Sequence, residues 1–195
     1  KIIVDGKTLT PMEYLASLNI NLDDFVDLLS LMEKPYYQMA EFPVPDNWWH
    51  SEDYLNVPLD DFMAVFKNAV RKGFSISLGA DVTEPGYHIW SKVAVVPTFD
   101  IPAEYIDENA RQFRFSNKTS TDYHGIHCVG WLEKDGKDWY LIKDSGSGAR
   151  NGDEKTLAYM FYNEDYVKLK VLSIMVHKDA AKEVLEKFEE MKKKK

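Results

Sequence analysis

The chain has 195 residues, a formal net charge of −8, 45% hydrophobic residues and 13% aromatic residues. Such a length and apolar content suit a folded domain, or one lobe of a larger enzyme, and argue against a disordered chain. The acidic balance argues against a nucleic-acid binder working by phosphate counterion release, and no apolar run approaches the ~18–20 residues of a membrane-spanning helix. The chain opens on Lys1 rather than Met, so its natural start, with any targeting segment, is expected upstream. Cys128 is the only cysteine, which rules out an intramolecular disulfide and leaves the compartment open.

In chain order, Thr10-Pro11-Met12-Glu13 reads as a helix start: threonine can cap, proline suits the first turn, and Glu13 completes a capping box. Asn21-Leu22-Asp23-Asp24 opens a predicted second helix with Leu22, Phe25, Val26, Leu29 and Met32 on one face. Residues 35–57, rich in proline and aromatics, are expected to be irregular but ordered. Pro58 opens the clearest helix, in which Leu59, Phe62, Met63, Phe66, Ala69 and Val70 recur at helical spacing and Gly73 ends the run. Alternation over 74–78 predicts a strand.

Residues 83–123 read mainly as a long surface excursion, a kind of segment often used for function or partner binding. Strands follow at 124–132 and 138–144, joined by a charged turn over 133–138, and then a Gly-rich loop over 145–152. Two further strands are predicted at 158–162 and 169–176, with Asp165 and Tyr166 in a brief turn between them. The tail over 178–191 is an amphipathic helix with Val184, Leu185 and Phe188 as its apolar stripe. Hairpin-joined antiparallel strands with helices at both ends predict an α+β fold.

The pattern His124-Gly125-Ile126-His127-Cys128-Val129-Gly130-Trp131, then Tyr140-Leu141-Ile142-Lys143-Asp144-Ser145-Gly146, carries the chemistry. A hairpin brings the head of one strand, His124, beside the end of the next, Asp144. A histidine oriented by a polar acceptor is half of a nucleophilic device. The alternative is a satisfied polar histidine at a strand edge. Cys128 shares a face with His124 but lies about 13 Å along the strand, beyond the ~3 Å that proton transfer needs, and reads as a small core residue. His124 and His127 point to opposite faces and lack further ligands at metal-like spacing, so neither a metal nor a cofactor is expected. Ser145 and Ser147 lack the G-x-S-x-G elbow and read as a hydrated turn rather than as hydrolase nucleophiles. Lys192–Lys195 would sit at the negative end of the last helix.

These residues resemble the second half of a papain-like cysteine peptidase. In that family a histidine opens a strand as H-x-x-x-x-V-G and the next strand ends in N-S-W-G; here His124 leads to Val129-Gly130, and Lys143-Asp144-Ser145-Gly146 stands in the second place. The chain is most similar to the bleomycin hydrolase and aminopeptidase C branch. That similarity extends over the block from Pro58 to Asp81-Val82, the approach Thr121-Asp122-Tyr123-His124-Gly125, and the ending Tyr166-Val167-Lys168 with Val176-His177-Lys178-Asp179. The resemblance implies a single C-terminal, histidine-bearing lobe over 1–195, helical and irregular over 1–57, then helix, antiparallel sheet and C-terminal helix over 58–195. It implies a cysteine aminopeptidase acting on peptide substrates, with His124 as general base and acid and Asp144 holding the ring. An N-terminal portion would supply the cysteine and glutamine, the chain's own C-terminus would restrict the cleft, and the assembly would be a ring-like homo-oligomer.

Three departures stand beside it. The family's nucleophilic cysteine and oxyanion-hole glutamine belong to an N-terminal part that this sequence does not include, Asp144 replaces the orienting asparagine, and Gly146 replaces the tryptophan that shelters the pair. Asp144 can still accept a hydrogen bond from imidazole and would favour the charged ring more than an amide would, while loss of the tryptophan is expected to let water in. A relative that kept the lobe and lost the chemistry, acting in binding or as a scaffold, is the competing expectation.

Overall fold

The computed structural model of the chain describes residues 1–146 and 158–193. β1 (Ile2–Val4) and β2 (Lys7–Leu9) form a hairpin leading into α1 (Pro11–Ser17), where Thr10 and Glu13 exchange both bonds of the predicted capping box. β3 (Phe25–Leu29), β4 (Gln38–Ala40), β5 (Tyr54–Asn56), β6 (Ile76–Ala80), β7 (Tyr87–His88), β8 (Val93–Ala94), β9 (His124–Lys134), β10 (Lys137–Lys143), β11 (Tyr159–Asn163) and β12 (Val171–His177) form one sheet. Among the described residues its order is β4-β5-β3-β12-β6-β9-β10-β11-β8-β7. Pairing is antiparallel except at β3–β5 and β8–β11. With α2 (Leu59–Arg71), α3 (Glu108–Ser116), α4 (Glu164–Lys170) and α5 (Lys182–Lys193), the chain is α+β with a mostly antiparallel sheet, as its sequence predicts.

α2 buries Leu59, Phe62, Val65, Phe66, Ala69 and Val70, and it ends at Gly73, whose φ of +85° glycine adopts without strain. That face packs on Ile76 and Leu78 of β6, Ile126 of β9 and Tyr140 of β10, the Phe66 and Tyr140 rings meeting edge to face at 4.8 Å. Each such fully buried side chain contributes ~1.5–3 kcal/mol. Val184 and Phe188 of α5 complete the same core. Arg71 forks onto both oxygens of buried Asp138 at 2.8 Å and lies 4.2 Å over the Trp131 ring, locking the end of α2 to the β9–β10 hairpin. The hairpin turn is tighter than expected: Asp135 and Gly136 take φ of 55° and 74°, the succession of a type I′ turn.

The structure differs from the sequence reading at several places. Residues 1–57, expected to be helical and irregular, also hold the β1–β2 hairpin and the paired strands β4 and β5, each only three residues long and so too short to show a period in the sequence. The predicted helix after Asn21 is only one short turn, Leu22–Asp24, followed by β3, because β12 on one side and β5 on the other offer ladders that a short apolar run of either period can join. Asp165 and Tyr166 lie in α4, not in a brief turn: Asn163 caps the helix through the Asp165 N–H, and Tyr166, Val167 and Leu169 are buried. Residues 83–123 are less a surface excursion than an integral part of the fold. Glu108 accepts from the Leu59 N–H and so caps α2, while Arg111, 1% exposed, reaches the carbonyls of Ser30, Lys168 and Leu172. Buried Lys170 ties the same segment to α4 through Glu84, the Thr119 carbonyl and the Ser120 hydroxyl.

Candidate functional site

β9 begins at His124 and β10 ends one residue before Asp144, so the antiparallel return of the hairpin brings the two side chains together. His124 Nε2 lies 2.6 Å from Asp144 Oδ1. The carboxylate is 2% exposed and fully engaged: the Gly146 N–H donates to Oδ1 at 2.6 Å and the Tyr87 hydroxyl to Oδ2 at 2.9 Å. Burial alone would push this carboxyl up, but the bonds from His124, Gly146 and Tyr87 outweigh it and hold Asp144 below the ordinary carboxylate range. An ionised carboxylate only accepts, so the ring's proton belongs on Nε2. Nδ1 bonds to none of the described residues, and the His124 side chain keeps 29% exposure. An imidazole arranged in this way can take a proton at Nδ1 and return it.

Tyr87 was not singled out in the sequence, because it belongs to a two-residue strand whose only signal is its tertiary placement. Its ring meets Tyr162 edge-on at 6.0 Å, Tyr162 meets Tyr166 at 5.0 Å, and the Tyr166 hydroxyl donates to the Asp81 carbonyl at 2.7 Å. At Gly146 a Cβ would lie 3.0 Å from Asp144 Oδ1 and 3.3 Å from His124 Nε2, so a side chain here would crowd the contact.

Cys128 is fully buried and burial pushes its thiol up to about 12. Iodoacetamide at pH 8 is expected to leave it unmodified in the folded protein and to label it once the protein is unfolded, as mass spectrometry would show. His127 is exposed on the other face of β9, opposite Ser77. Ser145 is exposed, whereas Ser147, the remainder of the predicted 145–152 loop, Lys194 and Lys195 lie outside the described residues. Among the described residues no group of three or more His, Cys, Asp or Glu is placed to hold a metal.

Immediately before His124, Asp122 and Tyr123 help line a cleft of about 820 Å³ whose other walls include Val44, Asp46, Trp48 and Phe115. Asp122 lies so close over β6 that a Cβ on Gly79 would come within 2.3 Å of Oδ1. Burial, with Asp46 nearby, pushes the Asp122 carboxyl up from 3.8 to about 6. A carboxyl raised by folding costs stability once ionised, so its contribution falls as pH rises from 3.8 to about 6 and is level above. Asp144, held low, adds stability above its unfolded range and loses it only in stronger acid. Urea melts are expected to show Asp122 contributing on the order of 1 kcal/mol more stability at pH 5 than at pH 7, so Asp122→Asn should reduce the pH dependence by that much, leaving the smaller part due to Asp27, another carboxyl that burial pushes up. A pH dependence unchanged in that variant would refute the assignment.

No protein-family model matches the chain, and no curated protein matches it. Among solved structures it is similar to PepW from Lactobacillus rhamnosis HN001 (DR20), with a TM-score of 0.67 and 17% sequence identity over 92% of this chain. The match spans 42% of the PepW chain, so this chain covers less than half of that protein. Likeness at that identity shows the fold.

Proposed function

We propose that this chain is the C-terminal, histidine-bearing portion of a bleomycin-hydrolase-like cysteine aminopeptidase, active only with an N-terminal portion that supplies cysteine and glutamine. The observation that carries the reading is the 2.6 Å contact between His124 and a buried carboxylate, with Nδ1 bonded to none of the described residues. The sequence resemblance and the shared fold with PepW support it, and the cleft beside Tyr123 offers space for a peptide. Nδ1 takes the proton of the incoming thiol, the thiolate attacks the scissile carbonyl, and the imidazolium returns the proton to the departing amine. Water, deprotonated by the same nitrogen, then releases the acyl group and restores the thiol. Asp144 keeps the ring facing the reaction throughout.

A second reading, a non-catalytic papain-like relative that binds or scaffolds, is favoured by the replacements at Asp144 and Gly146. Full-length protein assayed on aminoacyl anilides and on short peptides separates the two. Stepwise release from the N-terminus, blocked by a thiol alkylating agent, is the expected result. A full-length protein carrying a cysteine yet cleaving neither substrate would leave the binding role.

A further inference from the structure

We propose that Tyr87 is a positioning residue for His124: its hydroxyl takes the second oxygen of Asp144, so that the carboxylate meets the imidazole through Oδ1 alone. This rests on the reading of His124 as the proton carrier. An asparagine in the orienting place offers one acceptor oxygen, and its other terminal atom is a donor. An aspartate offers two acceptors and a charge, and inside a protein each oxygen needs a donor. Asp144 is 2% exposed, and no lysine or arginine among the described residues forms an ion pair with it. The Gly146 N–H and His124 both serve Oδ1, leaving Tyr87 as the donor to Oδ2 at 2.9 Å. A carboxylate's last torsion is broad and two-fold, so without a bond on Oδ2 the group is free to rock away from Nε2.

The fold fixes Tyr87 for this task. A Cβ on the preceding Gly86 would lie 1.8 Å from the Val95 carbonyl oxygen, and the Val95 N–H donates to the Gly86 carbonyl at 3.0 Å, so only glycine lets the two backbones close this tightly around β7. The Tyr87 ring rests against Tyr162, which rests against Tyr166. Burial, the Asp144 charge and the bond itself push the phenol up, so it remains a donor across the working pH range. Tyr87 thus holds the carboxylate by the oxygen that neither His124 nor Gly146 uses.

The test uses full-length protein with histidine rings labelled with ¹⁵N and the His124 signals assigned by their loss in His124→Gln. In the native protein the ring nitrogens should report one tautomer, with the proton on Nε2. Tyr87→Phe keeps the ring packing and is expected to lower the ratio of that tautomer to the other about tenfold, the worth of one bond to a charged group. In an Asp144→Asn background, where the second terminal atom is a donor, Tyr87→Phe should change nothing further. Unchanged signals in folded Tyr87→Phe, or an equal change in the Asp144→Asn background, would overturn the proposal. Because ring signals need no turnover, a protein that shows these shifts but cleaves no peptide would retire the peptidase reading and keep the positioning role.

Discussion

Arg111→Met is expected to lower the free energy of unfolding by about 3–5 kcal/mol, one of the two largest effects anticipated for a single substitution in this chain. The guanidinium donates to the carbonyls of Ser30, Lys168 and Leu172 at 3.0, 3.0 and 3.1 Å. These carbonyls lie just past β3, inside α4, and on β12 at its irregularity between Val171 and Ser173, where ladder pairing with β6 breaks. Methionine fills the volume over Phe62, whose ring lies 4.9 Å from the guanidinium, but it donates nothing, so three buried acceptors lose a partner. Urea unfolding followed by fluorescence would measure the loss. Arg114→Met, less than one turn away on the same helix with a partly exposed ion pair to Asp100, should cost no more than about 1 kcal/mol. Equal losses for the two would mean that Arg111 acts only by filling space.

Arg111 also shows why part of this architecture was legible and part was not. α2, β9, β10 and α5 announce themselves through periodicity, capping residues and turn chemistry, all local properties that survive into the fold. β3 did not, because Phe25-Val26-Asp27-Leu28-Leu29 fits either period and the ladders of β12 and β5 decide between them. α3 was hidden by its polarity: its buried residue is an arginine, which no hydrophobic pattern marks as interior. The candidate site divides in the same way. His124 and Asp144 are joined by a hairpin whose ends can be found from sequence, so their meeting at 2.6 Å was foreseeable. Tyr87 lies 57 positions from Asp144 and reaches it only because β8 pairs with β11 at the far side of the sheet. No spacing rule carries that information.

In full-length protein carrying the cysteine, His124→Ala is expected to lower kcat by about 10²–10⁴-fold, the usual worth of a positioned general acid and base, with KM changed far less. Alanine removes the acceptor for the thiol proton and the donor for the departing amine at once, whereas the cleft beside Tyr123 is untouched. Asp144 variants should grade the effect. Asp144→Asn keeps an acceptor oxygen for Nε2, so it is expected to cost less than about tenfold. Asp144→Ala leaves the Tyr87 hydroxyl and the Gly146 N–H without their acceptor and frees the ring, and should fall between the other two. The ordering is the discriminating result. If His124→Ala cleaves as fast as the unaltered protein, the thiol finds its base elsewhere; if Asp144→Ala exceeds His124→Ala, the carboxylate would be reacting in its own right rather than steering the imidazole.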